Sequence, residues 1–321
     1  MAGKGRTCLR VPAHPAYAHL VLRIIDARTG EPVHAAPARR GLTRVEVHAP
    51  GSDATNLRVL LVADLLVRAL EIGGTPVWAL LTGGSRQAEL RADAAALGIR
   101  PFEDSPDVSA GLGEAQVVHV AAAGGTAPDG VRIAVAPVEA AGPGTSGGER
   151  REAGTADDVS AEPGPPADKS SEPSPPSGRP AEEDPRADKS SASDRSNGRP
   201  MGPGTLGGVD PTVLRLALLT RHHNAPVRLE EAVLEEAGAT LARWRGAVAR
   251  WARRPSRPVP DEVRGRLREA WEDDLDVPRV LDELRRVENE PELPEGARFE
   301  TYAYADRLLG LELTRDLGAP S

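Results

Sequence analysis

A layered α/β fold, with a mostly parallel sheet, then a disordered linker, then a small helical bundle, is what this sequence predicts. Three observations predict it. Over residues 1–140 short β-rich runs alternate with stretches of helical period. Residues 141–208 carry almost no large apolar side chains. From residue 209 the apolar spacing becomes helical and stays so to the end, at residue 321.

In the first part, HLVLRII (19–25) and TRVEVHA (43–49) read as strands. Leu57 to Ile72 reads as a helix, with Leu60, Leu61, Asp64, Leu65, Arg68 and Leu70 sorted by face. PVWALLT (76–82) is again a strand, and RQAELRADAAALGI (86–99) is helical. AQVVHVAAA (115–123) and VRIAVAPV (131–138) read as buried strands. Strand–helix–strand alternation puts helices over a parallel sheet, a Rossmann-like layer.

The middle segment is rich in Pro, Gly, Ser, Asp and Glu, and it cannot bury enough surface to offset its chain entropy. It repeats itself: ADKSS occurs at 167–171 and 187–191, GRP at 178–180 and 198–200, with GPGTSGG and GPGTLGG at its flanks. The units have no apolar positions to stack, so they read as duplications within a linker. Beyond it, Asp210 is placed to cap a helix from Pro211 to Leu219. A long helix covers 229–254, where Leu241, Trp244, Val248 and Trp251 form an apolar stripe. Further helices are predicted over Pro260–Trp271, Val277–Glu288 and Thr301–Leu311.

Composition narrows the function classes. A single cysteine, Cys8, rules out an intramolecular disulfide and suits a reducing cytoplasm. MAGKGRTCLRVPAHP lacks the apolar core of a secretory signal, and no apolar run nears the roughly 18 residues of a membrane helix. A net charge of −8 argues against broad affinity for nucleic acid, and neither membrane nor DNA is an expected partner.

Several segments, in order, resemble cysteinyl-tRNA synthetase, a class I aminoacyl-tRNA synthetase, and its relative the mycothiol-pathway cysteine ligase. They are LRIIDARTGEPVHAA (22–36), VADLLVRALEIGG (62–74) and LRADAAALGIRP (90–101), followed by VDPTVLRLALLTRHHNAPVRLEEAVLEEAGATLARW (209–244) and WEDDLDVPRVLDEL (271–284). The resemblance implies a nucleotide-binding sheet, a zinc ion that takes the substrate thiolate, and a stem-contact helical domain.

The departures are as informative. Where the resemblance places the HIGH loop, whose histidines stabilise the triphosphate, the chain has Asp53, Ala54, Thr55 and Asn56. Asn56 can donate a hydrogen bond, Asp53 would repel a phosphate, and Arg58 is the one cation left there. His48 stands where the first zinc ligand, a cysteine, is implied. The other implied ligands fall in the segment that the linker replaces, and GRPMGPGTLGGVD holds no lysine where the KMSKS loop is implied. No catalytic residue is assigned, no cofactor is expected, and the zinc site reads as lost. ATP binding at Asp53, Asn56 and Arg58 stays open.

Other candidates read as structural. GPGTLGG and GLGEAQ lack the Lys-Ser/Thr of a P-loop, and Cys8 has no base near it in sequence. His222 and His223 are adjacent, and adjacent side chains face apart on a helix or strand, against a shared metal. Arg243, Arg245, Arg250, Arg253, Arg254 and Arg257 surround Trp244 and Trp251. A solvated face over a tryptophan core is favoured there over contact with tRNA. No anticodon-reading segment is evident after the bundle. The expectation is a synthetase-like pseudoenzyme that acts as a binding or regulatory module through its bundle. The alternative is a residual ATP-dependent amino-acid-activating ligase.

Overall fold

A computed structural model describes residues 21–37, 41–84, 86–104, 114–140 and 208–318. Cys8 and residues 141–207 of the expected linker lie outside the described residues. Strand β3 (Leu42–Ala49) leads into helix α1 (Ala54–Ile72), then β4 (Val77–Gly83), α2 (Gln87–Ala96) and the short β5 (Glu103–Asp104). After them come β6 (Glu114–Ala122), β7 (Val131–Val135) and β8 (Val138–Ala140). A small antiparallel hairpin, β1 (Arg23–Ile25) and β2 (Pro32–His34), precedes these elements. Helix α3 (Pro211–Leu219) and strand β9 (Val227–Leu229) open the last part, followed by α4 (Glu231–Trp251), α5 (Asp261–Glu272), α6 (Val277–Asn289) and α7 (Glu295–Leu309).

Five strands form one sheet in the order β5-β4-β3-β6-β7, and every pairing is parallel. The chain winds outward from β3 through β4 to β5, then returns to add β6 and β7 on the other side of β3. This is the Rossmann-like topology, with its switch point between β3 and β6. Burial along β3 alternates strictly: Thr43, Val45, Val47 and Ala49 are buried beneath α1, while Arg44, Glu46 and His48 lie on the opposite face. Helix α1 is buried almost throughout, which fits its run of Leu and Val.

The first predicted strand differs most. Residues 23–25 pair with the hairpin partner β2 and not with the main sheet. The hairpin is fastened to the helical region through Asp274 N–H donating to Arg23 O (2.8 Å) and Ile25 N–H donating to Asp274 Oδ1 (2.8 Å), and its turn is tied to β7 through Ala27 N–H donating to Arg132 O (2.8 Å). Helix α3 has the predicted bounds, with Asp210 Oδ1 accepting from Thr212 N–H (2.7 Å) and Pro211 in the first turn. Helix α7 starts earlier than its apolar spacing suggests, at Glu295 behind Pro294. It ends at Gly310, whose φ of 61° suits the left-handed cap.

Sheet and helices share one apolar core that runs from Val45, Val47 and Leu60 to Leu216, Trp244, Leu281 and Leu308. The parallel pair β8–β9, with Val138 opposite Val227, joins the end of the sheet region to the segment after α3. No helix among the described residues is long and apolar enough to cross a membrane.

Candidate functional site

The candidate site is the crevice at the carboxyl ends of β3 and β6, next to the first turn of α1. Open parallel sheets bind ligands there because strand ends, the helix N-terminus and the topological switch point converge.

Asp53 is the N-cap of α1, and its carboxylate grips the first turn twice. Oδ1 accepts from Asn56 N–H (2.9 Å) and Oδ2 accepts from Asn56 Nδ2 (2.9 Å). The negative charge that a helix N-terminus attracts is therefore supplied by the protein itself. Thr55 Oγ1 accepts from Val138 N–H (3.0 Å), which ties the same turn to β8. Gly84, after β4, lies against Pro50: a Cβ at Gly84 would come 2.3 Å from Pro50 O, so the two loops beside the crevice touch backbone to backbone.

Arg58 is turned away from this turn into the interior and is 1% exposed. Nη1 donates to Ala136 O (2.8 Å) and Ala225 O (2.7 Å), and Nη2 donates to Arg221 O (3.2 Å) and His222 O (2.9 Å). Burial pushes its pKa down to about 10, still well above neutrality. Sequence reading left Arg58 as the cation of the loop. The structure spends its guanidinium on four carbonyls, joining α1 to the segment between α3 and β9.

His48, on the opposite face of β3, meets two residues that sequence reading did not single out. His48 Nε2 and His119 Nδ1 are 3.0 Å apart, and Glu46 Oε2 is 3.7 Å from His119 Nδ1. His119 is opposite Glu46 in the register of β3 and β6. Burial holds both imidazoles below their usual pKa despite the Glu46 carboxylate, and Arg132 pushes the same way. The signal was present in sequence: Glu46 and His48 are two apart in an alternating strand, and His119 interrupts an apolar one. The thiolate-containing zinc set implied by the resemblance does not fit these residues, because the cluster of Glu46, His48 and His119 contains no cysteine.

His222 and His223 correct a premise. They lie in a turn after α3, not on a helix or strand, so their side chains converge, with ring centroids 4.3 Å apart. Nε2 of each lies 3.0 Å from Asp274 O. Their work is to hold the Asp274 turn, where Asp274 and Leu275 both have φ near 54°. Trp244 and Trp251 are core residues, 0% and 4% exposed, each packed edge-on against Tyr302.

Comparison with known proteins adds to this geometry. No family model matches the chain. Over 110 residues it is 41% identical to the L-cysteine:1D-myo-inositol 2-amino-2-deoxy-alpha-D-glucopyranoside ligase of Streptomyces griseus, covering 33% of this chain and 26% of that protein. The ligase of the same name from Segniliparus rotundus is 39% identical over 111 residues, with 33% and 26% covered. That of Thermobispora bispora is 46% identical over 73 residues, with 23% and 17% covered. The chain is related to cysteine ligases. These relatives are ligases for an amino sugar and not tRNA synthetases, and the matched stretch spans about a quarter of the first two.

Proposed function

We propose that this chain is a binding module built on a cysteine-ligase scaffold and does not activate an amino acid as its adenylate. One observation carries the reading: the anion-attracting N-terminus of α1 is filled by the Asp53 carboxylate, held on Asn56 by two hydrogen bonds. A triphosphate entering there would meet a fixed like charge within the first turn, where the helix dipole acts. The cation next in sequence, Arg58, is turned into the interior, and its Nη1 and Nη2 groups are committed to four carbonyls and not offered to a phosphate at that turn. Removing one preorganised donor for a developing anion typically costs about 10²–10³ in rate, and here the histidine pair and the lysines implied by the resemblance are all replaced.

A protein partner would engage the helical region. A cavity of about 510 Å³ opens there, with Leu216, Val227 and Ala237 beneath and Arg221, Arg228 and Glu236 around it. Such a mix of apolar floor and charged rim suits an inserted side chain of a partner.

The second reading, a residual cysteine ligase, draws on the 41% identity to the Streptomyces griseus enzyme. ATP–pyrophosphate exchange separates the two. The module reading expects no exchange with cysteine or any other amino acid, and no thermal shift by ATP. Exchange above background with any of them would establish a live adenylating site and overturn it.

A further inference from the structure

We propose that Glu46, His48 and His119 form a binding site for one divalent transition-metal ion of the zinc class at the β3–β6 switch point. The site shares only His48 with the ligand set implied by the resemblance, and it uses no thiolate.

The donors converge. His48 Nε2, His119 Nδ1 and a Glu46 carboxylate oxygen all lie within 4.8 Å of one another. A tetrahedral ion bound at about 2.0–2.2 Å holds its ligand atoms about 3.4 Å apart. The observed separations of 3.0 Å between the two nitrogens and 3.7 Å between His119 Nδ1 and Glu46 Oε2 bracket that value. Two imidazoles and one carboxylate with an open fourth position are a donor set that zinc commonly takes, leaving a place for water or an anionic ligand.

Placement on the sheet makes the convergence hard to avoid. Glu46 and His48 project from the same face of β3, and His119 is paired with Glu46 across the parallel ladder. A metal would replace the direct 3.0 Å contact between the two nitrogens. Thr82 Oγ1 donates to Glu46 Oε1 (3.3 Å), leaving Oε2 to face His119. Such outer hydrogen bonds orient metal-ligating carboxylates. Gly130 lets the His119 ring sit close to its backbone, since a Cβ there would come 2.9 Å from His119 Cδ2. Arg44 Nη2 approaches Glu46 Oε2 at 3.8 Å, longer than a hydrogen bond.

The other histidine cluster is less suited to an ion. The Nε2 atoms of His222 and His223 are each engaged at 3.0 Å by Asp274 O.

The test is calorimetric titration of the full chain, stripped by a chelator, with Zn²⁺, and the visible spectrum on adding Co²⁺. One equivalent should bind, and Co²⁺ should give the intense bands of tetrahedral coordination. Loss of an outer-shell partner typically weakens metal binding about 10–100-fold, so loss of a ligand in Glu46→Gln, His48→Gln or His119→Gln should weaken it at least that much. His222→Gln should bind like the wild type. Glu46→Gln is isosteric and keeps the fold readable by circular dichroism, should the histidine variants unfold. No uptake by the stripped chain would overturn the proposal. So would unchanged uptake in Glu46→Gln, or uptake lost in His222→Gln. None of these outcomes depends on whether the chain exchanges pyrophosphate.

Discussion

Asp64 and Arg215 meet at 2.9 Å with both side chains fully buried, 151 residues apart in sequence. Asp64 Oδ2 also accepts from Arg68 Nε (2.8 Å), and Oδ1 accepts from Arg100 Nε (3.1 Å). Arg215 Nε donates to Leu309 O (2.7 Å) and Nη1 to Leu97 O (3.1 Å). The pair together thus fastens α1, the end of α2, α3 and the end of α7. Removing one partner of such a pair leaves an uncompensated buried charge and typically costs about 3–5 kcal/mol. Asp64→Ala should therefore lose about that much in urea unfolding. The double variant Asp64→Leu, Arg215→Met should lose less than Asp64→Ala alone. A larger loss in the double variant would mean that the pair itself, and not the orphaned arginine, carries the energy.

The same pair has a signature in acid. Burial alone would raise the pKa of Asp64, but Arg215 and Arg68 outweigh it and hold the carboxyl below its usual value. A depressed carboxyl contributes stability that is complete above its unfolded value, near about 3.9, and is lost as pH falls through the folded value. Asp64→Asn lacks that contribution at every pH, so its stability deficit should shrink below about pH 4. Asp306, Glu272 and Glu283 are shifted upward by burial and act in the opposite sense. The comparison is therefore variant against wild type across the same pH series.

Arg58 should behave as a structural tie. Its four carbonyl partners span Ala136 and the segment from Arg221 to Ala225. Hydrogen bonds to a charged group contribute about 1.5–3 kcal/mol each, and orphaned buried carbonyls add to the cost. Arg58→Met should lower stability by at least about 3 kcal/mol. Arg58→Lys should recover only part, since one ammonium lacks the planar fork that reaches all four. Equal stability of Arg58→Lys and wild type in chemical denaturation would contradict this.

The strand–helix alternation, the Asp210 cap and the tryptophan stripe were legible because each is a local pattern with a fixed period or cap chemistry. What sequence could not supply was partnership over long separations. Arg58 reads as a loop cation until Ala225 O and His222 O appear beside it, more than 160 residues on. Residues 23–25 have strand composition, yet nothing local says that they pair with Pro32–His34 and not with β3. Glu46, His48 and His119 come together only when the β3–β6 register is known, and a slip of one residue would point His119 to the other face. His222 and His223 misled for a related reason: the rule that neighbours diverge holds on helices and strands, and these two sit in a turn.

The basic stretch that runs along α4 and past its end should not depend on its tryptophans for any RNA contact, because Trp244 and Trp251 are enclosed. Trp244 Nε1 donates to Glu288 Oε2 (3.0 Å), and Tyr302 Oη donates to Leu284 O (2.9 Å) beside them. Trp251→Ala should cost about 3–5 kcal/mol, as large-to-small changes of buried aromatics do. Tyr302→Phe should cost about 1 kcal/mol for the lost hydrogen bond. Thermal unfolding reads both. A Trp251→Ala variant with unchanged stability and weakened RNA binding would place that ring at a surface and not in the core.

Asp53 offers the most direct test of the closed helix terminus. Asparagine caps about as well as aspartate, so Asp53→Asn should stay within about 0.5 kcal/mol of the wild type, while Asp53→Ala should lose about 1 kcal/mol. Their anion binding should diverge in the other direction. Asp53→Ala removes both the charge and the oxygen that occupies Asn56 N–H, freeing an amide at the positive end of α1. Titrated with pyrophosphate, it should bind where the wild type does not, and Asp53→Asn should fall between, neutral but still capped. If the wild type binds pyrophosphate and Asp53→Ala leaves the affinity unchanged, the anion sits elsewhere. In that case Asp53 is a cap and nothing more, and the proposal that the chain forms no adenylate would rest on the replaced lysine loop alone.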